Sequence, residues 1–122
     1  MSKIIVAAAQ HAIQAASCWQ DFATLTEQQV RTAAHADLLV FAEYGSMGLV
    51  AALPEKERQT LDAQLAGMQQ FSESYSALFC QLAQKNNCWI VAPTFPFAIA
   101  PKHYVNRAWI AGPQGQCFFQ DK

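Results

Sequence analysis

Charged side chains are scarce in this chain, 14% of 122 residues against the roughly 25% usual in soluble domains. With 52% of residues hydrophobic, so few charges mean either very efficient packing or an apolar face left for something else. The second reading is adopted here. The charges sum to −1 and are scattered, with no basic stripe to meet a phosphate backbone, so no nucleic acid partner is expected. Long hydrophobic runs are also missing. The longest, Ile4 to Ala9, is too short to span a bilayer, and Gln10-His11 ends it before any signal-peptide cleavage pattern. The expectation is a soluble cytoplasmic protein without membrane contact.

Other signatures are absent too. Cys18, Cys80, Cys88 and Cys117 form no CxxC pair, and none has metal-ligand spacing with His11, His35 or His103. Reduced thiols acting as small core hydrophobes are expected, with no metal and no cofactor. There is no phosphate loop, no dinucleotide fingerprint, no repeat and no low-complexity tract.

What is present is alternation of strand and helix. Ile4 to Ala9 reads as a strand apolar on both faces. Trp19 to His35 reads as a helix with Phe22, Leu25, Val30, Ala33 and Ala34 inward, although Thr26 and Gln29 have capping-box spacing that allows a later start. Leu38 to Ala42 follows as a strand parallel to the first. Gly45 and Gly48 mark a loop. Pro54, Glu55 and Glu57 look like the first turn of a helix whose apolar side is Leu61, Leu65 and Met68. Ser72 to Asn86 carries the clearest helical period, at Tyr75, Leu78, Phe79, Leu82 and Ala83. Trp89 to Ala92 reads as a strand, and Pro93, Pro96 and Pro101 bracket a loop. Tyr104 to Ala111 and Cys117 to Gln120 then read as strands joined by the turn Gly112-Pro113-Gln114-Gly115. The order is β-α-β-α-α-β-β-β, an α/β arrangement with an antiparallel end, in one domain over residues 1–122.

Two residues stand out chemically. Glu43 ends a strand with every mark of burial and precedes a glycine-containing loop, where α/β sheets place ligands. Burial there raises a carboxyl's pKa and suits it to proton transfer; the plain alternative is a strand end reaching solvent. Lys122 follows the last strand, where a solvated tail is the plain alternative. Tyr44 is a candidate for lining a substrate pocket beside Glu43, though packing explains it equally well. Gly45-Ser46-Met47-Gly48 lacks the spacing of a serine-hydrolase elbow.

Taken together, Lys3 to Gln10, Ala36 to Glu43, Ala83 to Pro93, Tyr104-Val105-Asn106-Arg107-Ala108, Gly112 to Gly115 and Gln120-Asp121-Lys122 resemble the carbon–nitrogen hydrolase (nitrilase) superfamily in order and spacing. One departure is Ala42, where that family very often has proline. The resemblance implies the N-terminal half of an α-β-β-α sandwich, a mixed sheet with helices on one face. It implies Glu43 as general base and Lys122 as the family's lysine, acting with a nucleophilic cysteine on a later strand-to-helix elbow. No such segment occurs here, and Cys117, in the strand leading to Lys122, is not taken as the nucleophile. The implied activity is hydrolysis of a small non-peptide amide or nitrile by a Glu-Lys-Cys mechanism in a longer enzyme. The 122-residue chain itself is expected to be truncated, inactive and self-associating, a homo-oligomer. The alternatives are a short non-catalytic binding or assembly module of the same fold, and an unrelated α/β domain in which Glu43 and Lys122 do not converge.

Overall fold

A computed structural model describes residues 3–33 and 35–122. Its strands are β1 (Val6–Ala8), β2 (Leu38–Val40), β3 (Trp89–Val91), β4 (Phe95–Ala100), β5 (His103–Ala111) and β6 (Cys117–Asp121), and its helices α1 (Trp19–Thr32), α2 (Leu61–Met68) and α3 (Ser72–Asn86). Strands β1, β2 and β3 pair in parallel, and β3, β4 and β6 all run antiparallel to β5. Arg107 opposes both Phe95 of β4 and Asp121 of β6, and Ile110 opposes both Val91 of β3 and Phe118 of β6. Thus β3 and β4 follow one another along one side of β5, while β6 lines the other.

The register sorts side chains into two rows, because successive residues of a strand face opposite ways. Ala7, Leu39, Ile90, Ala111 and Cys117 form one row across five strands. Leu39, Ile90 and Ala111 in it pack with Phe22 and Val30 of α1 and with Tyr75, Phe79 and Leu82 of α3 in a single core. Ala8, Val40, Val91, Ile110 and Phe118 form the opposite row. That face carries no helix among the described residues, and Val6 and Phe118 on it are 58% and 57% exposed. The α/β sheet with helices on one face matches the expected architecture, and the low charge content reflects this second, unclad apolar face.

Local chemistry explains where the elements differ from expectation. The first strand is shorter than Ile4 to Ala9 and not covered on both faces: Ile4 and Ile5 are exposed. α1 starts at Trp19 and ends at Thr32, short of His35, and Thr26 is buried within it rather than capping it; the apolar role given to Ala34 lies outside the described residues. The loop after Glu43 contains an eight-residue 3₁₀ run, Gly45–Ala52. A Cβ on Gly48 would collide with the Gln14 carbonyl oxygen, so this glycine permits close passage of the two backbones. The helix expected from Pro54 is two pieces, a 3₁₀ turn Glu55–Arg58 and then α2, whose N-cap Thr60 Oγ1 accepts from the Ala63 N–H at 3.1 Å. Ser72–Asn86 stands as expected, closed by Asn87 in the left-handed region.

The largest correction is β4, a strand where three prolines suggest a loop. Pro96 opposes Asn106 in the ladder. Its carbonyl faces the other way, accepting from Gln69 Nε2 at 2.6 Å, and Ala98 N donates to Gln69 Oε1 at 3.0 Å. The N–H that proline lacks would therefore point to the outer edge, where no ladder bond is lost. Of the cysteines expected in the core only Cys88 is buried; Cys18 and Cys117 are exposed and Cys80 is intermediate.

Tyr75 is wholly buried among Phe22, Phe79, Phe95 and Trp109. Its hydroxyl donates to the Pro93 carbonyl at 2.6 Å, and burial keeps that hydroxyl protonated by raising its pKa well above the usual value. Tyr75→Phe strands a buried carbonyl, so it is expected to lower the unfolding free energy by about 1–3 kcal/mol, measured by urea denaturation. An unchanged midpoint would show that this bond adds no net stability.

Candidate functional site

Past the end of β2 the chain runs through Phe41 and Ala42 to Glu43, and β6 ends one residue before Lys122. The two strand ends bring Lys122 Nζ to 3.3 Å from Glu43 Oε1. Asn106 of β5 donates from Nδ2 to the same carboxylate oxygen at 2.7 Å, and its backbone carbonyl accepts from the Lys122 N–H at 3.1 Å. By alternation from Ile110, Asn106 belongs to the unclad face of the sheet. The pair that the sequence singles out is thus brought together, with Asn106 as a bridge to both. Glu43 is not buried as expected: its side chain is 45% exposed and that of Lys122 is 80% exposed. The cause is the bare sheet face on which the site lies. An ion pair this open contributes little to stability, at most about 1 kcal/mol.

The turn after Glu43 is held tightly. Tyr44 adopts φ 62°, the left-handed region, which a bulky residue enters only when its surroundings enforce it. Its N–H donates to Thr94 Oγ1 at 2.7 Å, and buried Ser46 donates from Oγ to the Thr94 carbonyl at 2.7 Å. A Cβ on Gly45 would lie 2.5 Å from the Pro93 Cβ, so this segment sits directly on the junction of β3 and β4. Tyr44 itself projects outward, 52% exposed, and core packing therefore does not account for it. None of the clefts described among these residues is lined by Tyr44. A cleft lined by Ala9, His11, Phe22, Phe41, Ala42 and Pro93, among others, includes none of Glu43, Tyr44 and Lys122.

Lys122 is steadied from the other face of β6. Arg107 and Asp121 form a two-pronged ion pair, Nε to Oδ1 at 2.7 Å and Nη2 to Oδ2 at 2.9 Å, a geometry that fixes orientation as well as charge. The guanidinium lies 3.8 Å from the ring centroids of both Phe97 and Phe119, stacked between them. The Arg107 hydrogen bonds and charge hold the Asp121 carboxyl below its usual value, against a smaller upward push from desolvation.

Asn106, Thr94 and Arg107 were not singled out individually from the sequence. Asn106 and Arg107 lie within the Tyr104–Ala108 motif, where strand alternation sends neighbours to opposite faces; that signal was available for Asn106. Thr94, between two prolines of an expected loop, offered none. Chemically, the site holds a carboxylate able to take up a proton beside an ammonium able to face developing negative charge. Among the described residues no cluster of three or more His, Cys, Asp or Glu is placed to hold a metal, and no helix is long and apolar enough to cross a membrane.

The fold recurs in solved structures. The chain superimposes on a carbon–nitrogen hydrolase from Helicobacter pylori G27 with a TM-score of 0.69 and 20% identity, over 98% of this chain and 39% of that one. XC1258 from Xanthomonas campestris, a CN-hydrolase superfamily protein with an arsenic adduct in its active site, gives a TM-score of 0.71 at 13% identity, over 100% of this chain and 41% of that one. The chain thus spans about two fifths of the length of these structures. No curated protein sequence matches it. The family model for carbon–nitrogen hydrolases matches residues 5–120, nearly the whole chain. On that match, with the shared fold, the chain belongs to the carbon–nitrogen hydrolase family.

Proposed function

We propose that this chain supplies two members of a Glu-Lys-Cys site that hydrolyses small non-peptide amides or nitriles, the cysteine coming from polypeptide beyond Lys122. The observation that carries this reading is the 3.3 Å approach of Lys122 to Glu43, with Asn106 holding the same carboxylate oxygen at 2.7 Å. Residues 79 positions apart meet there because Glu43, beyond the end of β2, and Lys122, beyond the end of β6, both reach Asn106 of β5.

The chemistry follows from the groups. An amide or nitrile carbon is a weak electrophile, and a thiolate divides its hydrolysis into acylation and deacylation. Glu43 takes the thiol proton, passes it to the leaving nitrogen, and then draws a proton from water. Asn106 turns the carboxylate toward that task. The Lys122 ammonium meets the negative charge that develops as the tetrahedral intermediate forms. Four cysteines lie in the chain, and Cys117, which faces the helix-covered side, is on the wrong face to serve as the nucleophile.

In the full-length enzyme Glu43→Gln is expected to abolish measurable turnover, since removal of a general base costs about 10²–10⁴ in rate. Because the side chain is half in solvent, folding should change little. Substantial residual activity of a folded Glu43→Gln enzyme would remove Glu43 from the mechanism. Residues 1–122 alone are expected to hydrolyse neither amides nor nitriles. A native gene product of only 13.5 kDa would favour the non-catalytic assembly module instead.

The row Ala8, Val40, Val91, Ile110 and Phe118 is the surface that a second sheet would cover in the full sandwich. Left bare, an apolar patch of this kind drives association. Sedimentation of the 122-residue chain at low micromolar concentration is expected to show species heavier than one copy. A well-behaved monomer would count against the half-sandwich reading.

A further inference from the structure

Cys117 closes the helix-covered row of the sheet, and its sulfur lies 2.8 Å from that of Cys80 on α3. Two features make this pair more than a packing contact. Cys117 is exposed while Cys80 is half-buried, so one sulfur is open to solvent and the other backs it from inside. In addition, among the described residues β6 pairs only with β5, and its residues Cys117 to Gln120 are exposed, so little else there ties this strand to the helical layer.

We propose that Cys80 and Cys117 are a reversible redox pair whose disulfide latches β6, the strand that ends at Lys122, onto α3. The sulfurs need to close by only about 0.8 Å to reach the disulfide bond length of about 2.05 Å. Burial first, then the neighbouring Cys117 thiol, pushes the Cys80 thiol up to about 12. Cys80 therefore waits as S–H, and the exposed Cys117 is the sulfur that an oxidant meets. With hydrogen peroxide, Cys117 S–H becomes S–OH as the peroxide O–O bond breaks and one water leaves. The Cys80 sulfur then attacks Cys117, the S–O bond breaks, and a second water carries away the hydroxyl and the Cys80 proton. With a small-molecule disulfide such as oxidised glutathione, two exchanges reach the same bond and release two thiols. The latch does not depend on the hydrolase reading.

The test treats the purified 122-residue chain with hydrogen peroxide or oxidised glutathione, blocks free thiols, and maps the cysteines by mass spectrometry. The expected result is an intramolecular Cys80–Cys117 link, reversed by dithiothreitol, formed equally in a Cys18→Ser/Cys88→Ser double variant and lost in Cys117→Ser. Oxidation is also expected to raise Tm by roughly 10 °C and to slow amide exchange in β6. Both thiols staying free, Cys117 linking only between chains, or a link that leaves β6 exchange unchanged would each overturn the proposal. Mapping the unsubstituted chain decides the matter even if a serine variant fails to fold.

Discussion

The carboxylate half of the candidate site hangs on the fixed position of Pro93-Thr94. This junction of β3 and β4 is anchored from beneath by Tyr75, the residue at the centre of the aromatic core, through the bond to the Pro93 carbonyl. From above, both polar ends of Thr94 hold the turn that follows Glu43. Pro93 fixes its own φ and Pro96 restricts Phe95 before it, so the residues on either side of Thr94 have few backbone conformations to lose. The left-handed Tyr44 is then a consequence: the chain must leave the β2 end, turn on Thr94 and continue over Pro93. The acid is thus set by the core, several bonds away, rather than by the lysine it faces.

The lysine is set independently. Its backbone is held in the β5 ladder by Asn106, and the residue before it is clamped by Arg107 between two aromatic rings. Asp121 and Lys122 point to opposite faces, so one strand end divides its duties, with structure on the covered face and chemistry on the bare one. Asn106 and Arg107 repeat that division on β5. A site built in this way keeps its geometry even where solvent screens the attraction between its charges.

The sequence made much of this legible. The helical period of Ser72–Asn86 and the turn Gly112 to Gly115 carry their own signals, and the strand ends at Glu43 and Lys122 could be placed from β-strand and motif order. Three things were hidden, each for a physical reason. Pro96 reads as a breaker, and only the direction of its carbonyl shows that its missing donor falls on an edge. The openness of Glu43 depends on what covers the sheet, which local sequence does not encode. Thr94 matters through contacts 48 and 50 residues away, beyond the reach of any local pattern.

Gln69 has a consequence of its own. Its side-chain amide occupies the outward hydrogen-bonding groups of β4, standing where a neighbouring strand would stand. That edge is closed to strand addition by a single residue.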